Sequence, residues 1–134
     1  MLHPAPPADR QADPMAARFE QVRSVSLALA EHLSDADQTV QSMPDASPTK
    51  WHLAHTTWFF ETFLLAPHLT GYEAFDPNFA YLFNSYYEQA GPRHPRPQRG
   101  MLTRPSAAKV VEYRRHVDAA MGQLMSNPEQ LVPE

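Results

Sequence analysis

The chain has no cysteine among its 134 residues, which removes disulfides, thiolate metal ligands and thiol nucleophiles together. Any metal it holds must therefore be bound by histidine, carboxylate or water. Glycine is scarce, at 4 residues against 14 prolines, so the chain has few sites suited to left-handed backbone and many that fix the backbone at element starts. No apolar run is long enough to span a bilayer or to form the core of a signal peptide. A formal net charge of −4 argues against general nucleic-acid binding. These absences lead to the expectation of a cytoplasmic protein with neither a nucleic acid nor a membrane as partner. Strand-type alternation and internal repeats are also missing, while a hydrophobic content of 43% suits an ordinary globular core. The expected class is all-α, and the length suits a single domain.

Proline does the punctuating. Residues 1–12, rich in Pro and Ala, are predicted to form a mobile tail, with the folded domain over 13–134. Asp13-Pro14 opens a helix in which Phe19, Val22, Ser26, Leu29 and Leu33 recur at three- and four-residue steps, so this stripe is expected to face the core. A polar connection over 34–46 follows. Ser47 as cap and Pro48 at the first position start a helix predicted over 48–66. Asp76-Pro77 repeats the signature and predicts a short helix over 78–88 carrying Phe79, Tyr81, Phe83, Tyr86 and Tyr87. Residues 89–104 read as an irregular loop holding Arg93, His94, Arg96, Arg99 and Arg104 without one acid. A last long helix is expected over 106–125, its apolar stripe being Val110, Tyr113, Val117, Ala120, Met121 and Leu124. Asn127-Pro128 then signals yet another helix start. Together these read as an up-down bundle whose fourth helix is cut off at the C-terminus.

The helix over 48–66 carries the chemistry. Its run Ser47-Pro-Thr-Lys-Trp-His-Leu-Ala-His-Thr-Thr-Trp-Phe-Phe-Glu61 sets two histidines in an aromatic, nearly all-apolar segment. At about 100° per residue, His55 points between Trp51, Trp58 and Thr62, and His52 between Phe59 and Phe63, so both are expected among large hydrophobes. A buried imidazole needs a carbonyl, hydroxyl, carboxylate or metal as partner. Two readings stay open on this pattern alone: a satisfied core histidine, or a pair one turn apart that shares a metal.

That run, together with Phe83-Asn-Ser-Tyr-Tyr-Glu-Gln-Ala-Gly-Pro-Arg-His-Pro-Arg-Pro-Gln-Arg-Gly-Met-Leu-Thr-Arg-Pro-Ser106, resembles the N-terminal DinB-like domain of the ergothioneine-biosynthesis sulfoxide synthases. The likeness covers the chain from about residue 15 onward. It implies a non-haem Fe(II) enzyme that uses O₂ to join the sulfur of cysteine or γ-glutamylcysteine to hercynine as a sulfoxide. Three histidines form the iron face in that family. His55 matches the first, and His52 carries over as a neighbour, with Trp51 and Trp58 as core residues or walls of the site. The other two ligands lie in a family His-x-x-x-His pattern that these residues do not contain, and a C-terminal domain resembling formylglycine-generating enzymes is not represented either. The resemblance thus implies an N-terminal fragment, inactive by itself. It also gives the arginine loop a role in holding a carboxylate of the thiol substrate, with Arg96 the first choice and Arg93 the second.

Other residues are assigned less. Glu61 lies on another side of the helix from His55 and is not expected to be a ligand. His32 and His116 are expected at edges, His94 in the substrate loop and His3 in the tail. Two further functional classes remain: a stand-alone DinB-like metal-dependent thiol transferase or hydrolase, and a non-catalytic helical binding module.

Overall fold

A computed structural model of the chain describes residues 14–84, 94–101 and 104–126, and every regular element among them is helical. The expected tail over 1–12, the residues after Asn84 in the predicted short helix, and the helix start at Asn127 lie outside the described residues. Helix α1 spans Pro14–Ala30, beginning at the proline expected to open it. Residues 34–46, expected as a plain connection, contain a further helix, α2, over Asp35–Thr39. Its start is fixed by a reciprocal cap: the Ser34 hydroxyl accepts from the Asp37 N–H at 3.0 Å and the Asp37 carboxylate accepts from the Ser34 N–H at 3.1 Å. The serine and acid were visible in the sequence, but a single short turn has no apolar period to reveal it.

Helix α3 covers Thr49–Phe60. Pro48 is the extended residue ahead of it, and Ser47 does not cap it as expected, because its hydroxyl instead accepts a hydrogen bond from Arg99 at 2.8 Å. The rod also runs beyond 66. A π-helical turn over Glu61–Leu65 leads into α4, Ala66–His68, with the Ala66 N–H reaching back to the Glu61 carbonyl. The wide turn falls immediately before Pro67, which has no N–H to give to an α-helical register. Gly71, at φ 79°, then reverses the chain.

Helix α5 occupies only Phe79–Phe83, since Asn84 is extended at ψ 142°, and so it ends well short of 88. After a 3-10 turn over Arg96–Met101, helix α6 runs from Ala107 to Ser126. Two side chains satisfy its first amides: Asp35 accepts from Ala107 at 2.6 Å and Ser106 from Lys109 at 3.1 Å.

The core lies where α3, the π turn, α5 and α6 meet. All six stripe residues of α6 are buried, against Trp51, Ala54, Trp58 and Leu65 from the α3 rod and Phe79 and Phe83 from α5. Each large apolar side chain so placed contributes about 1.5–3 kcal/mol. Helix α1 departs from expectation. Val22 and Leu29, placed in its core stripe by periodicity, are 59% and 81% exposed, and its buried residues are Arg23 and Ala30. The polar interior explains the inversion. Arg23 donates to Asp118 at 2.9 Å and to Thr57 at 2.7 Å, while fully buried Arg114 of α6 reaches the Arg23 carbonyl at 3.3 Å and the Ser26 hydroxyl at 2.6 Å. Leaving two guanidinium groups unpaired in the interior would cost more than exposing a few valines and leucines. Helix α1 therefore turns its arginine inward.

Candidate functional site

Three- and four-residue steps put Trp51, His55 and Trp58 on one face of α3. The three rings stack. His55 lies nearly parallel to Trp51 at a centroid distance of 4.6 Å and 10°, and to Trp58 at 5.6 Å and 16°. Both indoles are buried and His55 is half-buried between them.

The stack meets the C-terminal end of α5, where a helix leaves carbonyls without intrahelical donors. Side chains distant in sequence supply those donors. Trp51 Nε1 donates to the Leu82 carbonyl at 2.8 Å, His55 Nδ1 bonds the Phe83 carbonyl at 2.6 Å, and Arg99 donates to the Asn84 carbonyl at 3.3 Å. A carbonyl only accepts, so the proton of neutral His55 is on Nδ1. Its Nε2 then presents a lone pair, and that atom makes no hydrogen bond. Burial pushes His55 below the usual histidine range; the bond to Phe83 opposes this, and the charges of Arg99 and His52 add to it. The ring is neutral at neutral pH, as a metal ligand or proton acceptor must be.

Arg99, not singled out from the sequence, completes the stack. Its guanidinium carbon sits 3.6 Å from the centre of the Trp51 ring, and its two ends bond Ser47 and Asn84. It is buried, and the space left beside it and Trp51 is only about 10 Å³. Arg99 thus clips the arginine loop to α3 and has no room for a substrate. The run of loop arginines was legible; which of them packs on a tryptophan was not.

Arg96 opens the 3-10 turn, half-buried, with its carbonyl held by Gln41 at 2.6 Å. Arg93 lies outside the described residues. His52, expected among hydrophobes, is exposed; it meets the edge of Trp51, at 5.5 Å and 85°, and the Ser47 backbone. The 100° step that carries His55 inward carries His52 to the rim of the rod. His94 lies in the loop, its N–H donating to the Tyr81 carbonyl at 2.9 Å. His32 and His116 are exposed.

Glu61 sits in the interior on a different side of the rod. Its carboxylate accepts from the hydroxyls of Tyr72 and of Tyr113, the latter at 2.8 Å, and from the Phe75 N–H at 3.1 Å. Burial and the carboxylate beside them push both tyrosines well above the usual range, so both hydroxyls stay protonated donors. Three donors occupy the carboxylate, which leaves it a structural knot. The spacing put Tyr113 on the apolar stripe of α6, but nothing in it pointed to Tyr72 or to the pairing of either tyrosine with Glu61.

Among the described residues no three His, Asp or Glu side chains converge as a metal site. A cleft of about 760 Å³ is lined by residues including Asp35, Asp76, Arg104 and Lys109, but by neither His55 nor its two tryptophans. No described helix is long and apolar enough to cross a membrane. What the stack offers is one imidazole donor, held in one tautomer and one orientation between two flat walls. Such a carbonyl-anchored histidine is the usual arrangement of a metal-ligating ring.

Comparison with family models matches residues 18–131 to the DinB superfamily. The chain belongs to that superfamily, and its all-α architecture accords with it. Comparison with curated proteins gave no match.

Proposed function

We propose that this DinB superfamily member is the N-terminal iron-binding domain of a non-haem Fe(II)- and O₂-dependent sulfoxide synthase, one that joins the sulfur of cysteine or γ-glutamylcysteine to hercynine. One observation carries the reading. His55 has Nδ1–H committed to the Phe83 carbonyl at 2.6 Å and Nε2 left with a lone pair between two buried indoles. A histidine kept merely as core packing would gain by bonding both nitrogens.

The donor chemistry fits Fe(II) at this one position, and the described residues supply no second or third donor. The remaining ligands then come from polypeptide outside the described residues. When bound, the iron would supply O₂ activation and a coordination position for the substrate thiolate. The residues of this chain do the rest. His55 offers Nε2 in a tautomer set by Phe83. Trp51 and Trp58 keep the ring from rotating and keep water from its faces. Arg99 holds the arginine loop against Trp51, and in that loop Arg96, at the start of the 3-10 turn, or Arg93, outside the described residues, is the guanidinium assigned to the carboxylate of the thiol substrate, which it would bind through two parallel hydrogen bonds.

The test uses the protein expressed from its full reading frame. Iron content by mass spectrometry should fall to near zero in His55→Ala and stay high in His52→Ala. Turnover of hercynine with each thiol should show a raised KM in Arg96→Ala or Arg93→Ala. An iron site emptied by His52→Ala and kept by His55→Ala would overturn the assignment, as would metal-dependent thiol transfer or hydrolysis without O₂ consumption.

A further inference from the structure

The cleft of about 760 Å³ has no part in the His55 stack, and its size falls within the roughly 300–1,000 Å³ usual for small-molecule sites. Three stretches of chain meet around it. Asp35 comes from the start of α2, Asp76, Phe79 and Leu82 from α5 and the turn before it, and Arg104 and Lys109 from the entry to α6. Two acids and two bases thus face one hollow, yet among the described residues no ion pair joins any of the four to another.

Two of the four are engaged elsewhere. Asp35 accepts from the Ala107 N–H at 2.6 Å and lies in the field of the buried Lys50 ammonium. Lys109 holds its ammonium 5.4 Å from the centre of the Phe75 ring and 3.8 Å from Glu112. Arg104 and Asp76 remain. Arg104 is exposed and makes no hydrogen bond or ion pair among the described residues. Asp76 commits one carboxylate oxygen to the Asn78 N–H at 2.9 Å, which fixes the direction of the group and leaves its other oxygen as an acceptor. A guanidinium and a carboxylate therefore line different walls of one cleft, too far apart to pair with each other, and the same lining offers the apolar side chains of Phe79 and Leu82. A lone anion in this space would meet Asp76, and a lone cation would meet Arg104. A ligand carrying both charges meets neither penalty.

We propose that this cleft binds a small zwitterion with its ammonium and carboxylate at the two ends of an apolar body, the chemistry of a short peptide with free ends. The carboxylate pairs with Arg104 through two parallel hydrogen bonds, the ammonium with the second oxygen of Asp76, and the apolar side chains lie against Phe79 and Leu82. A single α-amino acid carries both charges on one Cα, too close together to span groups that do not reach each other. A dipeptide separates them by a further Cα step of about 3.8 Å. This inference does not depend on the metal reading, since no side chain of the cleft belongs to the His55 stack.

Leucyl-leucine, its N-acetyl form and its C-terminal amide provide the probe, titrated by calorimetry into the full-length protein. Leucyl-leucine should bind, and each capped form, lacking one charge, should bind at least about tenfold more weakly, the loss expected for one charge-assisted contact. Two substitutions assign the ends. Asp76→Asn, which keeps an oxygen for the Asn78 N–H, should bring leucyl-leucine down to the level of its N-acetyl form. Arg104→Gln, at an exposed position that should leave the fold intact, should bring it down to the level of the amide. Equal affinity for the three forms, or an N-acetyl form that binds as tightly as its parent, would overturn the zwitterion. No binding of leucyl-leucine, or a preference that survives both substitutions, would overturn the site. A loss of binding in Arg96→Ala with none in Arg104→Gln would place the peptide at the thiol-substrate loop and overturn it as well.

Discussion

Six residues apart on one rod, Glu61 and His55 face opposite fates. Glu61 is buried and has every donor a carboxylate needs, from Tyr72, Tyr113 and the Phe75 amide. His55 is half-buried and has one nitrogen bonded and one not. A saturated polar group ties elements together and has nothing left to offer a ligand. An unsaturated one, rigidly held, costs stability and keeps an atom available. The contrast separates what holds this fold from what the fold presents.

The sharpest break would come at Glu61. Replacing it by Ala leaves one buried and one half-buried hydroxyl and an amide without their acceptor and opens a cavity, so unfolding by urea should show a loss of about 3–5 kcal/mol. Metal affinity per folded molecule of the full-length protein should be unchanged. A loss under about 1 kcal/mol would show that the knot is not structural. His55→Ala should give the mirror image, with metal affinity of the full-length protein down by at least about a hundredfold, beyond what loss of an orienting partner alone causes, and a smaller change in stability. If stability falls as far as in Glu61→Ala while metal stays bound, the two residues have the same role and the contrast fails.

Arg99 tests the link between the two kinds of group, being hydrogen-bonded through both terminal nitrogens and packed against the wall of the unsaturated one. Arg99→Met should cost about 1–2 kcal/mol in denaturant unfolding through the lost stack on Trp51 and two hydrogen bonds, and Arg99→Lys should not restore it, because a point charge cannot stack or fork. Full rescue by lysine would mean that only the charge matters.

Acidity should produce the smallest effect. His55 is held below its unfolded value, so between the ordinary histidine range, about 6.5, and its lower folded value the unfolded chain binds the extra proton. Stability is fully present above that range and falls as pH drops through it. Thermal melts from pH 7.5 to 5.5 should show the decline in the wild type and less of it in His55→Gln. An unchanged slope in the variant would assign the proton uptake to another group.

Much of the fold could be read in advance. The cap-proline signature at Pro14 opens α1, and the stripe from Val110 to Leu124 is buried throughout, because a long helix with one clear apolar face has one way to bury it. Where that condition failed, so did the reading. Helix α1 has apolar residues on more than one face, and a buried arginine, invisible to hydrophobic periodicity, chose among them. His55 stood out because an imidazole between tryptophans is costly without partners. The same argument misplaced His52, since only the packing of neighbouring elements decides which side of a nearly all-apolar rod faces solvent.

The sequence by itself determined the helical class, most helix starts and the alignment of Trp51, His55 and Trp58, because those follow from proline, capping residues and a 100° step that act within a few residues of one another. Tertiary structure alone decided which nitrogen of His55 is free, which arginine stacks and how α1 is turned. Each of those rests on a partner far along the chain: the Phe83 carbonyl for His55, Trp51 for Arg99, Asp118 for Arg23. Such pairings form only when helices have packed, and a hydrogen bond depends on where the partner's atom comes to rest, which local pattern does not encode.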